Sequence, residues 1–294
     1  MSIPLHPNNP VHRYSAEATI RLGAISFINT VPIYFDFQSK LPIELVYDVP
    51  ARLNAMMATG ALDVSPVSSA FYLRHQAEFV LLDDVSVSSP GAVESVLFVS
   101  NRPWGPNLAT LENIRIPDDS ETSVALLDHL LRQATGQDLS DRFTLYDAAK
   151  ANITLKESGN ALIIGDNALL TAARMPEGFQ GYDLSSLWRQ STDLPFVFAV
   201  WVANAAWAKQ NPEALQALNT ALCQSRNRFY DDPSVFQSGV LLAQQRSSLS
   251  QETLQRYYQR CLTYNLDNRH RAALDRFSQL LAPVQSPRTF SSVS

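Results

Sequence analysis

From residue 20 onward, short β-type runs alternate with short helix-type segments, a pattern that leads to an α/β fold with parallel strands. Residues 20–25 and 43–49 read as strands, and 31–38 and 50–59 as helices. Pro50 suits the first helical position, Gly60 suits the stop, and Leu53, Met56 and Met57 make one apolar face at helix spacing. A short buried strand is expected over 61–66, followed by Ser68-Ser69 and an amphipathic helix over 70–77.

Residues 79–87 and 94–100 read as two strands separated by Ser88-Ser89-Pro90-Gly91, residues that tolerate tight geometry. The Pro/Gly/Asn-rich stretch 101–113 (NRPWGPNLATLEN) is the expected crossing between domains. A second α/β series follows: a helix capped by Thr122-Ser123 and stopped at Gly136, a strand over 143–146, a helix over 148–156, a strand over 161–164 and a helix over 168–174. The strand expected over 194–202 returns the chain to the first domain, and 205–282 carry helical periodicity with breaks near Asp231-Asp232-Pro233 and 265–268. The expected architecture is therefore two α/β lobes around a cleft, with a helical C-terminal part. Lobe 1 spans 20–101 and 199–284, lobe 2 spans 102–198, and 1–19 and 285–294 are a flexible arm and tail.

Composition narrows the function classes. The 294 residues carry a net charge of −5, and no basic run or aromatic-interleaved Lys/Arg stripe occurs, which argues against nucleic acid as a partner. Neither G-x-G-x-x-G nor G-x-x-x-x-G-K-[ST] is present, so the usual nucleotide-cofactor signatures are missing. The five histidines, His6, His12, His75, His129 and His270, show no metal-ligand spacing, and the two cysteines, Cys223 and Cys261, read as free thiols, so neither metal nor cofactor is expected. Residues 194–208 are too short and too broken by Asn204 to span a bilayer, and residues 1–19 lack the pattern of a signal peptide. A cytoplasmic protein without membrane insertion is the expectation; oligomeric state is left open.

In an open α/β sheet, ligands bind beyond the carboxyl ends of the strands, which directs attention to the polar loops. Asn29, in Ser26-Phe27-Ile28-Asn29-Thr30-Val31-Pro32, sits in the first such loop, as a turn residue or a ligand contact. Thr122 and Ser123 open a helix whose N-terminus could seat a carboxylate or phosphate, although a plain cap would look the same. Ser68 and Ser69 repeat that arrangement in the first lobe. Asp166, in Gly165-Asp166-Asn167, is an N-cap or a polar closure of the site, and Ser95 is a candidate through its nearness to the turn that carries Ser89 and Gly91. The set contains no obvious histidine, lysine or cysteine base or nucleophile.

The joint pattern is more specific than any one motif. It comprises Ser26-Phe-Ile-Asn-Thr-Val-Pro32, Val49-Pro-Ala-Arg-Leu-Asn54 with Gly60-Ala-Leu-Asp63 and Ser68-Ser69, and Ser86-Val-Ser-Ser-Pro-Gly-Ala-Val-Glu-Ser95-Val96. Thr122-Ser-Val-Ala-Leu-Leu127, Ile163-Ile-Gly-Asp-Asn-Ala-Leu169, Tyr182-Asp-Leu184 with Trp188, and Leu194-Pro-Phe-Val-Phe-Ala-Val-Trp201 complete it. In order over about residues 22–201, this resembles the chorismate dehydratase family of the futalosine route to menaquinone.

The resemblance implies a type II periplasmic-binding-protein-like fold used as a lyase, which removes water from chorismate to give 3-[(1-carboxyvinyl)oxy]benzoate. It also implies that Asn29 is the active-site asparagine and Ser95 the serine near the enolpyruvyl group; Ser68, Ser69, Ser89, Gly91, Thr122, Ser123 and Asp166 stay substrate-binding candidates on their loop and helix-start positions. The sequence departs from the family at Asp193, where glycine usually precedes Leu-Pro-Phe, and in its longer amino-terminal arm; Asp193 would add a negative charge near the hinge or cleft. The alternatives are a sister lyase acting on cyclic dehypoxanthine futalosine and a non-catalytic small-anion-binding protein.

Overall fold

A computed structural model describes residues 19–148 and 159–281. The expected arm, tail and 148–156 helix lie outside these residues, apart from Thr19 and Ala148. In the first lobe the chain runs through β1 (Ile20–Ile25), α1 (Val31–Tyr34), β2 (Ile43–Asp48), α2 (Pro50–Ala58), β3 (Val64–Ser68), α3 (Ser69–Arg74) and β4 (Phe79–Ser89). The second contains β5 (Val96–Ser100), β6 (Ile114–Pro117), α4 (Glu121–Thr135), β7 (Phe143–Tyr146), β8 (Asn160–Ile164), α5 (Gly165–Ala173), β9 (Gln180–Asp183) and α6 (Leu184–Thr192). The chain returns through β10 (Phe196–Asn204) to a helical layer, α7 (Ala205–Gln210), α8 (Pro212–Asp231), α9 (Pro233–Ser247), α10 (Gln251–Arg256) and α11 (Asn268–Ser278).

Two five-stranded mixed sheets result, ordered β2-β1-β3-β10-β4 and β7-β6-β8-β5-β9. β1 runs parallel to β2 and β3, as βα connections require, whereas β10 is antiparallel to both β3 and β4. The second sheet repeats the plan: β6 runs parallel to β7 and β8, and β5 is antiparallel to β8 and β9.

That arrangement corrects the expected crossings. β5 belongs to the second sheet, so 101–113 joins two strands of the same lobe, and the passage between sheets is the short stretch 90–95. The return lies at 193–195, since all of β10 is in the first sheet. A Pro/Gly/Asn-rich composition marks a connection but not which strands it joins. β6 and β9, which no expected strand covered, are four residues each and too short for a clear period.

Close packing fixes the centre of the first lobe. A Cβ at Gly23 would lie 2.1 Å from Ser65 Oγ and 2.8 Å from Ser65 Cβ, so glycine permits the close approach of β1 and β3. Tyr34 donates its hydroxyl to the Gly23 carbonyl at 2.8 Å and accepts the Trp201 indole N–H at 2.9 Å, joining β1, α1 and β10 inside the core. At the other crossing, Trp188 donates to the Pro195 carbonyl at 3.0 Å and packs edge-on against Phe196 and Phe277. Cys223 and Cys261 are free thiols. Among the described residues, no helix is long and apolar enough to cross a membrane.

Asp193 caps α6 in the left-handed region, with φ 57°, a backbone position that favours glycine. Its carboxylate is 82% exposed and pairs with Arg189 at 2.8 Å and Arg269 at 3.7 Å, so the added charge is met at the surface. Asp193 is not among the residues that line the cleft cavity.

Tyr34→Phe would strip the buried Trp201 N–H of its acceptor with little change in packing. We expect a loss of about 1–3 kcal/mol in equilibrium denaturation with the fold retained; unchanged stability would show that the link contributes nothing.

Candidate active site

The polar loops at the carboxyl ends of the strands meet at one cavity between the lobes. Its polar lining is Asn29, Ser68, Ser95, Ser120, Thr122 and Ser123. Phe27, Val87, Val93, Phe198 and Leu262 supply much of the apolar wall. No ionisable side chain is among the described residues that line it.

The Asn29 loop folds back on itself because Thr30 donates its hydroxyl to the carbonyls of Ile25, at 2.8 Å, and Phe27, at 3.1 Å. Its outer anchors come from the C-terminal layer. Tyr264 donates to the Asn29 carbonyl at 2.6 Å, Tyr258 to the Ile28 carbonyl at 2.9 Å, and Arg246 to the Ser26 carbonyl at 2.7 Å. The Asn29 backbone is thus held, while its side-chain Oδ1 is buried without a hydrogen-bond partner among the described residues. An unpaired buried carboxamide oxygen is costly, and a donor on a bound molecule would relieve it.

Ser95 is buried at the crossing between sheets. Its carbonyl accepts the Gly165 N–H at 2.7 Å, and its Oγ accepts the Tyr257 hydroxyl at 2.9 Å. The preceding residue, Glu94, sits at φ 58°, a left-handed position costly for a non-glycine residue. Asp183 accepts the Glu94 N–H at 2.6 Å and Arg256 pairs with the Glu94 carboxylate at 2.7 Å, so β9 and the C-terminal layer both hold that turn. Gly165, at φ 61°, opens α5 beside the Phe27 ring.

The expected helix caps differ in detail. Thr122 and Ser123 lie inside the first turn of α4, whose N-cap position is Ser120; Ser120 Oγ donates to Ser123 Oγ at 2.8 Å. First-turn N–H groups have no intrahelical acceptor, so the cavity wall here combines free donors with hydroxyls. Thr122 Oγ1 accepts the Ala70 N–H at 2.9 Å, which ties α3 to α4 across the lobes together with the Arg74–Glu121 ion pair. Ser68 does act as a cap, with the Phe71 N–H at 3.4 Å, and its Oγ also accepts from Asn54 at 3.0 Å.

Ser69, Ser89, Gly91 and Asp166 are not among the lining residues. Ser69 Oγ is buried without a hydrogen-bond partner among the described residues, and Ser89 turns its hydroxyl onto the Gly91 carbonyl at 3.1 Å. Asp166 is the second residue of α5, not its cap. Burial pushes its carboxyl up to about 6, against the opposing pull of the Arg246 charge and the Ile28 N–H.

The sequence reading missed Ser120 and the tyrosines behind the site. Ser120 lies just before the hydroxyl pair and falls to the same helix-start argument. Tyr257, Tyr258 and Tyr264 carry a weaker signal: an aromatic cluster where the tail's helical period breaks, at a π-helical turn over Tyr257–Cys261.

Comparison with known proteins sets the site in context. A family model described as menaquinone biosynthesis matches residues 20–283. A chorismate dehydratase from Thermus thermophilus is 32% identical over 285 residues, 90% of this chain and 96% of the relative. Among solved structures, a structural-genomics protein from Archaeoglobus fulgidus superposes with a TM-score of 0.69 at 14% identity, covering 89% of this chain and 96% of that one. The periplasmic aliphatic sulphonate binding protein of Escherichia coli gives 0.62 at 14% identity, covering 90% and 92%. The two-lobed fold is thus the periplasmic-binding-protein-like one, and the match along nearly the whole chain shows that it belongs to the menaquinone biosynthesis family.

Proposed function

We propose that the protein is a cytoplasmic chorismate dehydratase, converting chorismate to 3-[(1-carboxyvinyl)oxy]benzoate and water. The relative from Thermus thermophilus supports the substrate. The observation that carries the mechanism is a cavity lined by hydroxyls and one carboxamide, with no ionisable side chain among its described residues.

The C3 hydrogen of chorismate is activated through the ring double bond by the ring carboxylate, and the C4 hydroxyl is placed for elimination. The C3–H bond breaks, its electron pair spreads toward the ring carboxylate, and the C3–C4 double bond forms as the C4 oxygen leaves as water. The change is redox-neutral, and the aromatic product supplies the driving force. The enolpyruvyl carboxylate takes the C3 proton and, as the carboxylic acid, returns it to the departing C4 hydroxyl, so that water leaves and the carboxylate is restored; this E1cB-like path assigns the base and the acid to the substrate.

The protein's part is orientation and charge stabilisation. The Asn29 carboxamide and Ser95 hydroxyl orient the enolpyruvyl arm, while Thr122, Ser123 and the first turn of α4 seat a carboxylate. Donors fixed in a water-poor cavity are worth more to developing charge than the same groups in water. Asp166 acts from behind the lining, where its carboxyl faces the Asn29 loop. Its folded-state value near 6 lies above the ordinary 3.8, so its protonated form stabilises the fold at low pH and that contribution is lost as pH rises through about 6.

Purified protein mixed with chorismate alone should bleach the diene absorbance and yield the enolpyruvyl benzoate. Unchanged chorismate with a folded protein would favour a binder or the sister lyase. Asn29→Ala and Ser95→Ala should each lower kcat/KM by about 100-fold, and near-normal turnover and affinity in both would remove their assigned roles. Asp166→Asn should match wild-type stability at pH 4.5 and exceed it by about 2 kcal/mol at pH 8 in denaturant titrations. A gain of equal size at both pH values would contradict the titration.

A further inference from the structure

We propose that Tyr257 is a positioning residue that holds Ser95 as a hydrogen-bond donor to the substrate, an inference that rests on the function proposed above. Tyr257 Oη lies 2.9 Å from Ser95 Oγ and donates to it. Among the described residues no other hydrogen bond to that hydroxyl is found, so the proton of Ser95 has the cavity as its outlet. A hydroxyl that accepts one hydrogen bond becomes a stronger donor in the next, and a low-dielectric surrounding enlarges the effect.

The geometry of the contact sets its direction, with the Tyr257 hydroxyl as donor. Tyr257 is 1% exposed, and desolvation holds its hydroxyl well above the usual tyrosine range, so it keeps the proton that it donates. The segment is shaped for the contact. A π-helical turn over Tyr257–Cys261 interrupts the end of α10, and the Leu262 N–H reaches back to the Tyr257 carbonyl at 3.2 Å. Such turns cost regular hydrogen bonding and recur at functional sites.

Ser95 is also constrained from its other side, by the left-handed Glu94 turn bound to Asp183 and Arg256. Arg256 and Tyr257 are adjacent, so one short stretch of the C-terminal layer fixes both the backbone before Ser95 and its side chain. An ordinary structural tyrosine would be satisfied by any buried acceptor. Here the acceptor is a cavity-lining hydroxyl that lies 162 positions away in the sequence.

The test compares wild type, Tyr257→Phe, Ser95→Ala and the double variant in steady-state turnover of chorismate. Tyr257→Phe should lower kcat by about tenfold with KM within about twofold, and the double variant should be no slower than Ser95→Ala alone. An unchanged kcat in Tyr257→Phe, or a tenfold loss repeated in full on the Ser95→Ala background, overturns the inference while the function stands. Wild-type protein that leaves chorismate intact overturns the function and the inference with it. If Tyr257→Phe loses its cooperative melt, 3-fluorotyrosine at position 257 decides: the more acidic hydroxyl should raise kcat by about 1.5-fold or more, and an unchanged or lower value overturns the inference.

Discussion

Each sheet is completed by an antiparallel strand that reaches it across the gap between lobes, and the site depends on that exchange. β5 carries the chain into the second sheet and β10 carries it back into the first. Residues in these passages and on the strands they feed also build the cavity: Val93, Ser95 and Val96 at one, Phe198 and Ala199 at the other. Register then places the partners. Ala199 opposes Ser68 in the first sheet, and Val96 opposes Ile164 in the second, so the strand that joins the lobes lies beside a parallel strand ending at the cleft.

The C-terminal layer makes this arrangement rigid. Thr263 pairs with Ser88 through both backbone groups and so covers the end of β4, an edge of the first sheet. Around that bridge, Tyr258 and Tyr264 bind the Asn29 loop and Tyr257 binds Ser95. A buried hydroxyl that loses its partner bears most of its desolvation cost, so neither loop can shift without leaving a tyrosine unsatisfied. Helices far from the substrate in sequence thus act on the site through polar contacts.

The sequence revealed the parts that depend on local chemistry. The strand at Phe143–Tyr146 falls where the apolar run predicted it, and the helices from Pro50 and Pro233 begin at their prolines. Asn29, Ser68, Thr122 and Ser123 were readable as polar residues of loops and helix starts and Ser95 as a strand serine near a turn, and all five line one cavity. What local patterning could not supply was partnership. Nothing around Tyr257 specifies a contact with Ser95, and the turn chemistry of 101–113 does not reveal that both of its strands belong to one sheet. Asp166 shows the same limit: its strand-to-helix setting suggests a cap, but the helix starts one residue earlier and turns the carboxyl toward another loop.

Gly23 has an effect beyond its own surroundings. It allows β1 to lie against Ser65 of β3, and these two strands run in parallel to the loops that carry Asn29 and Ser68. Close-packed interiors pass displacement along stiff elements. The spacing between the Asn29 carboxamide and the Ser68 hydroxyl, both on the first lobe's side of the cavity, is therefore gauged several residues below them, by the methyl group that Gly23 lacks.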